Sequence, residues 1–262
     1  MAITYVGGTT GYGESSPYDI SLTTLTGGTD SSPSTGDIVV INWGVYRGSN
    51  QTMTVNTSGY TQVADLYAND TTDTNLGCAY KIMGATPDTV VNVNGSGAAT
   101  GGANAVIQVW RGVDVTTPMD ATPTTATGVN TTYSQNPSIT PVTSGAVIII
   151  AAGNGTNSSL TVSTTPSGYS NMLEISYDPG YVSTNYIASK YWVSGTENPA
   201  NWVMSATSTT SAWCAITMAL RPAVFGPANL KTYNTNVKAN IKSINTNLIA
   251  NCKSLNTNVW VK

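Results

Sequence analysis

Histidine is absent from the 262 residues. That removes the Ser-His-Asp triad, the Cys-His pair and every metal site built on imidazole. Cysteine is scarce. Cys78, Cys214 and Cys252 show no CxxC spacing, and two of them sit in the apolar runs GCAY and WCAI. They read as buried free thiols, not as a disulfide framework or a metal cradle. Charge is scarce too, at 9% of residues, against about 25% in an average soluble domain. The longest apolar run, 146–152, falls far short of the ~20 residues of a membrane helix, so no membrane insertion is expected. The opening MAITYVGGTTGYGESS has no basic n-region and no apolar core, so no secretory leader is expected.

Ser, Thr, Asn and Gly fill the gap, yet 40% of residues remain hydrophobic, which argues against disorder. Low charge with many Thr, Val, Tyr and Gly suits strands and tight turns. Such surfaces are common on adhesins, surface layers and virions. Exterior chemistry without a leader fits a particle assembled in the host cytoplasm and released by lysis. Charge is also unevenly placed. The 34 residues from Asn229 onward hold five lysines and no acid, whereas the preceding body holds thirteen acids and five bases. The body should repel nucleic acid, and the tail suits an acidic neighbour.

Four stretches recur at an offset of about 110 residues, in the same order. STGDIVVINWGVY from Ser34 answers TSGAVIIIAAGNG from Thr143; NTSGYTQV from Asn56 answers TPSGYSNM from Thr165. CAYKIMGATPD from Cys78 answers ASKYWVSGTENP from Ala188, and ANAVIQVWRG from Ala103 answers AWCAITMALRP from Ala212. Continuous apolar runs bounded by Gly, Pro and Asn turns predict short strands, some covered on both faces. No capped stripe of helical period appears. The expected fold is all-β: a β-sandwich of jelly-roll or immunoglobulin-like type, built from two tandem repeats over 1–112 and 113–225, with a small repeat tail over 226–262. Two sandwiches and one shared sandwich both fit, and the stretch from Val113 to Ser138 reads as an extended strand or a hinge.

Chemistry-bearing clusters are few. Asp65, Asp70 and Asp73 lack the spacing of a Ca²⁺ loop and read as a hairpin tip. Nothing marks a pair among Glu14, Glu174, Glu197 and the aspartates as the opposed carboxylates of a glycosidase. GSGAATGGAN lacks the lysine of a phosphate loop. No catalytic residue, cofactor or metal is expected. One phenylalanine stands against six Trp and fourteen Tyr, and Tyr and Trp can stack on sugars while their polar atoms hydrogen-bond. EISYDPGYVSTNY groups Tyr177, Asp178, Tyr181 and Tyr186 as a candidate glycan contact; core and turn packing is the competing reading. Trp43, Trp110, Trp192 and Trp213 lie in strand runs and are expected in the core.

The tail repeats every eleven residues, with Lys231, Lys242 and Lys253 in register. Its apolar positions, Leu230, Tyr233, Val237, Ile241, Ile244, Leu248, Cys252, Leu255 and Val259, are spaced 3, 4, 4, the period of a right-handed coiled coil. Composition argues for strands instead. Nine Asn lie among the 34 residues, and with the Ser and Thr they cost a helix on the order of 6–8 kcal/mol relative to alanine. Asn-Thr-Asn three times at equal spacing suits three turns. Either form is too small to bury itself and predicts docking or self-association, with a trimer expected. Leu230, Lys231, Tyr233, Val237, Lys238, Ile241, Lys242, Ile244, Leu248, Lys253, Leu255 and Val259 are the candidate anchoring and oligomerisation residues.

IKSINTN followed by IANCKSLNTN resembles the Lys-Thr/Ser-x-Asn-Gly repeats at the ends of many tailed-phage structural proteins, with Thr here in place of Gly. GDIVV, SGY and VWRGVD, then SGAVI, PSGY and MALRP, resemble the duplicated β-sandwich of phage and bacterial surface proteins. The resemblance implies a virion component and no catalytic residue. The expected role is capsid decoration, cement or a head fibre, with the major capsid protein or tail components as partners. The alternatives are a tail-fibre adhesin for host glycan and a bacterial surface or filament subunit.

Overall fold

Ile38–Val45 is buried at every position. Its sequence, IVVINWGV, lacks the polar alternation of a strand with one wet face, so both faces must be covered. In the computed structural model, which describes residues 2–14, 17–45, 48–95, 103–129, 133–156, 160–177, 182–205 and 211–223, four layers of sheet supply that cover.

Among the described residues sixteen strands are formed: β1 Thr4–Gly13, β2 Tyr18–Ser21, β3 Ile38–Val45, β4 Met53–Val55, β5 Thr61–Ala68, β6 Thr74–Ile82, β7 Val90–Gly95 and β8 Ala103–Arg111, then β9 Met119–Val129, β10 Tyr133–Ser134, β11 Val147–Thr156, β12 Val162–Thr164, β13 Ser170–Tyr177, β14 Val182–Tyr191, β15 Trp202–Met204 and β16 Ala212–Leu220. The stretch after Val113 thus contributes an eleven-residue strand, β9. One five-stranded sheet runs β1-β8-β3-β6-β5 and faces a three-stranded sheet β2-β7-β4. The second set runs β9-β16-β11-β14-β13 with β10-β15-β12, the same order with eight added to each label. All ladder pairings within these sheets are antiparallel. Each half is a jelly-roll sandwich of eight strands, with its fifth strand paired to the sixth.

That fifth strand stays tied to the fourth through side chains. Gln62 Nε2 donates to the Met53 carbonyl and Asp65 Oδ1 accepts from the Met53 amide at 3.4 Å. In the second half Glu174 Oε1 accepts from the Val162 amide at 2.7 Å. A carboxylate on an edge strand satisfies a neighbour's N–H and also discourages a foreign strand from pairing there.

Three cores follow from strand alternation. Val39, Ile41, Trp43, Val45, Ile107 and Val109 fill the first sandwich. Ile148, Ile150, Tyr186, Trp202, Trp213 and Ala215 fill the second. The opposite faces of the same central strands, with Ile38, Val40, Trp110, Val147, Ile149 and Ile216, pack the two five-stranded sheets against each other. β8 packs on β14 and β13, while β16 packs on β6 and β5; β1 lies on β13 and β5 on β9. Exchanging the halves reproduces these contacts. Residues 1–223 form one compact unit.

The aligned packing gives the body two ends. At one lie Thr4 opposite Arg111, Val113 opposite Pro222, and the Ala223 amide donating to the Gly112 carbonyl at 2.8 Å. Tyr191 Oη donates there to the Ile3 carbonyl at 2.9 Å. The start of the body, its mid-chain connection and its last described residue therefore share one end. Ion pairs brace it: Asp37, 1% exposed, takes both Nε and Nη2 of Arg111 at 2.9 and 3.0 Å, Arg111 Nη1 meets Asp30 at 3.0 Å, and Arg221 Nε meets Asp120 at 3.1 Å.

Candidate functional site at the far end of the sandwich

At the opposite end, Tyr12 on β1 and Tyr177 on β13 stack with ring centroids 4.4 Å apart and planes 23° from parallel. Each residue is near the end of an edge strand, one from each half of the chain. The strand period puts both side chains on the face where the two large sheets meet. Gly8, on the same side of β1, packs on Leu173, and Leu173 and Ile175 of β13 lie in the inter-sheet core. Tyr12 stays 58% exposed, so the pair is not a core contact. The Tyr177 phenol is shifted upward, first by burial and then by Glu14 and Tyr12 beside it. Among the described residues neither hydroxyl has a hydrogen-bond partner.

Behind the pair lies a polar seam. Asn104 pairs with Gly13's neighbour Tyr12 across the ladder, and its Nδ2 donates to the Ser183 carbonyl of the facing sheet. Asn185 Nδ2 donates to Asn104 Oδ1 and to Ser183 Oγ. The Asn185 side chain fills the space above Gly44 and Gly153, where a Cβ would lie 2.5 Å from its amide. The Asn185 Nδ2 finds its partners across the seam while its Oδ1 has none among the described residues, and such contacts fix the register of one sheet over the other.

The expected site residues fare unevenly. Tyr177 is at this end. Tyr186 is not: it is fully buried, its ring meets Trp202 edge-on at 4.7 Å, and its hydroxyl bonds Ser134 and Asn154 inside the second sandwich. It offers no face to a sugar, because its position on β14 points into that core and not outward. Asp178 and Tyr181 lie outside the described residues, as do all twelve anchoring candidates from Leu230 to Val259. Tyr12 was missed; its signal was the alternation of Thr10, Tyr12 and Glu14 among glycines. Trp43, Trp110 and Trp213 are buried and Trp192 partly so, while Trp202 is a further core residue.

Asp65, Asp70 and Asp73 serve the fold. Asp73 accepts from Tyr67 Oη at 2.5 Å and from the Asp70 amide at 3.0 Å. Among the described residues no three His, Cys, Asp or Glu converge as a metal cluster. Two Lys-acid-Tyr groups occupy matching places: Lys81 with Asp88 over the Tyr60 ring, and Lys190 with Glu197 over the Tyr169 ring. Both are rivets between turn and strand. The Cys78 and Cys214 thiols are buried in the inter-sheet layer, and burial pushes both pKa values well up, which makes them inert.

Glu174 gives a clean test of its edge role. Burial raises its pKa above 4.5, partly opposed by the Val162 amide. A raised carboxyl costs stability above the folded pKa and nothing below the unfolded one. Glu174→Gln keeps an acceptor for Val162. It should raise the melting temperature at pH 7 by a gain that solvent screening holds below about 1 kcal/mol. The gain should vanish at acid pH; a loss at pH 7 would mean the charge itself is needed.

The chain matches no protein-family model, no curated protein sequence and no solved structure.

Proposed function

We propose that this chain is a non-enzymatic structural protein of a tailed-phage particle surface. It would be anchored and trimerised through its repeat tail, with the double jelly-roll held outward as a decoration, cement or head-fibre element. The observation that carries this reading is the polarity of the body. Its first described residues, its mid-chain connection and its last described residue, Ala223, share one end, opposite the Tyr12–Tyr177 stack. The five lysines and no acid from Asn229 onward, after a body with thirteen acids, suit an anchor that meets an acidic neighbour. Jelly rolls occur in capsid and lectin domains, which agrees with the reading; a fold alone does not assign a function.

Removing residues 229–262 should leave a cooperatively folded β body and abolish both trimer formation and particle association. Light scattering after size exclusion reads the first, and co-sedimentation with particles the second. A truncated chain that keeps the same oligomer and the same association would overturn the anchor role. Quantitative mass spectrometry of purified particles then separates decoration, with many copies per particle, from a tail fibre with few. Absence from particles would defeat both.

A further inference from the structure

The stacked pair at the far end is an unusual use of two tyrosines. A tyrosine that merely plugs the mouth of a core buries its ring and finds a partner for its hydroxyl. Tyr12 does neither: it is the most exposed aromatic described, at 58%, and its ring lies against Tyr177 instead of in a core. The geometry points to a shallow saccharide site on the Tyr12–Tyr177 ledge, which takes an uncharged pyranose unit of a surface glycan.

Ring orientation decides the ligand class. A cation is held by several ring faces converging on one point. Here the two planes are 23° from parallel with centroids 4.4 Å apart, so each ring spends one face on the other. Tyr12, 58% exposed, is the ring with a face to offer a ligand. A flat aromatic face matches the flat C–H face of a pyranose, through apolar contact and weak C–H interactions. Orientation then needs a few placed polar groups. The two phenol hydroxyls supply them, and so does Glu14, close enough to raise the Tyr177 pKa. Gly11 and Gly13 flank Tyr12, which keeps the ledge free of neighbouring side chains on β1. The carboxylate also works against an anionic sugar, whose charge it would repel. The stack is assembled from both halves of the chain, so the site exists only when the two large sheets are docked. This inference does not depend on where in a particle the protein sits.

The test uses the full chain on an array of short uncharged, anionic and amine-bearing oligosaccharides, followed by titration of the best uncharged probe. Uncharged probes should bind and anionic ones should not. Tyr12→Ala should weaken binding about tenfold, the loss of one stacking contact, with the melting temperature nearly unchanged. Tyr12→Phe should keep most of the affinity, since it keeps the plane. Glu14→Gln should restore some binding of anionic probes. Silence of the full chain on uncharged probes, binding confined to charged probes, or equal affinity of the Tyr12→Ala variant would each overturn the proposal. Because the oligomer and particle assays read the tail and this one reads the ledge, either can fail without the other.

Discussion

Asn185→Asp should be among the most damaging single changes in the body, and its damage should depend steeply on pH. Asn185 is fully buried between the two large sheets. Its amide reaches Asn104 and Ser183 and fills the space above Gly44 and Gly153. A carboxyl of the same shape would have no cation beside it among the described residues; the Arg111 and Arg221 ion pairs brace the other end of the body. Burial alone raises such a group by up to 3–5 pKa units, which is about 4–7 kcal/mol once it is forced to ionise. The sign is fixed by linkage. The folded pKa would lie above the unfolded value, so the penalty is absent below about pH 4 and complete above the raised folded pKa. Urea unfolding of the variant should approach wild type at acid pH and collapse towards neutrality. A small difference that does not change with pH would show that water reaches the seam.

How far the sequence could lead is clearest at this seam. The unbroken apolar runs at Ile38 and Val147 required cover on both faces, and the four layers supply it. The fifteen residues that pack sheet on sheet were visible only as hydrophobic, because alternation says that two faces are buried and not which partner buries each. Gly44 and Gly153 looked like ordinary strand glycines. Their meaning lies in Asn185, in another strand, and no local pattern links them. The glycan candidates split for a similar reason. Tyr177 and Tyr186 both follow strand-like residues near one turn, but β14 is a central strand and β13 an edge, and strand order is not written in local spacing. Tyr12 escaped notice because its partner is 165 residues away in the chain.

The second large effect rests on a carboxyl whose pKa is shifted the opposite way, downward. Asp120 is held at the start of β9 with its side chain 0% exposed. One oxygen meets Arg221 Nε at 3.1 Å, and the other accepts the amides of Val142 and Thr143 at 2.6 and 2.8 Å. Burial pushes its pKa up, but Thr143, the two amides and Arg221 outweigh burial and hold it below 3.8. Arg221→Ala removes its cation and leaves the carboxylate buried on the Thr143 side chain and the two backbone amides. Breaking a buried pair costs 3–5 kcal/mol, and because solvent reaches part of the guanidinium the expected loss is about 3 kcal/mol at pH 7. The depressed carboxyl contributes stability that is present above its unfolded pKa and lost as pH falls through the folded one. The variant should therefore differ most from wild type at neutral pH and converge with it in acid. Adding Asp120→Asn to Arg221→Ala should recover part of the loss, since the orphaned charge is gone while an acceptor for Val142 and Thr143 remains. A double-mutant cycle with no coupling would mean that the amides, and not Arg221, hold this end of the sandwich together.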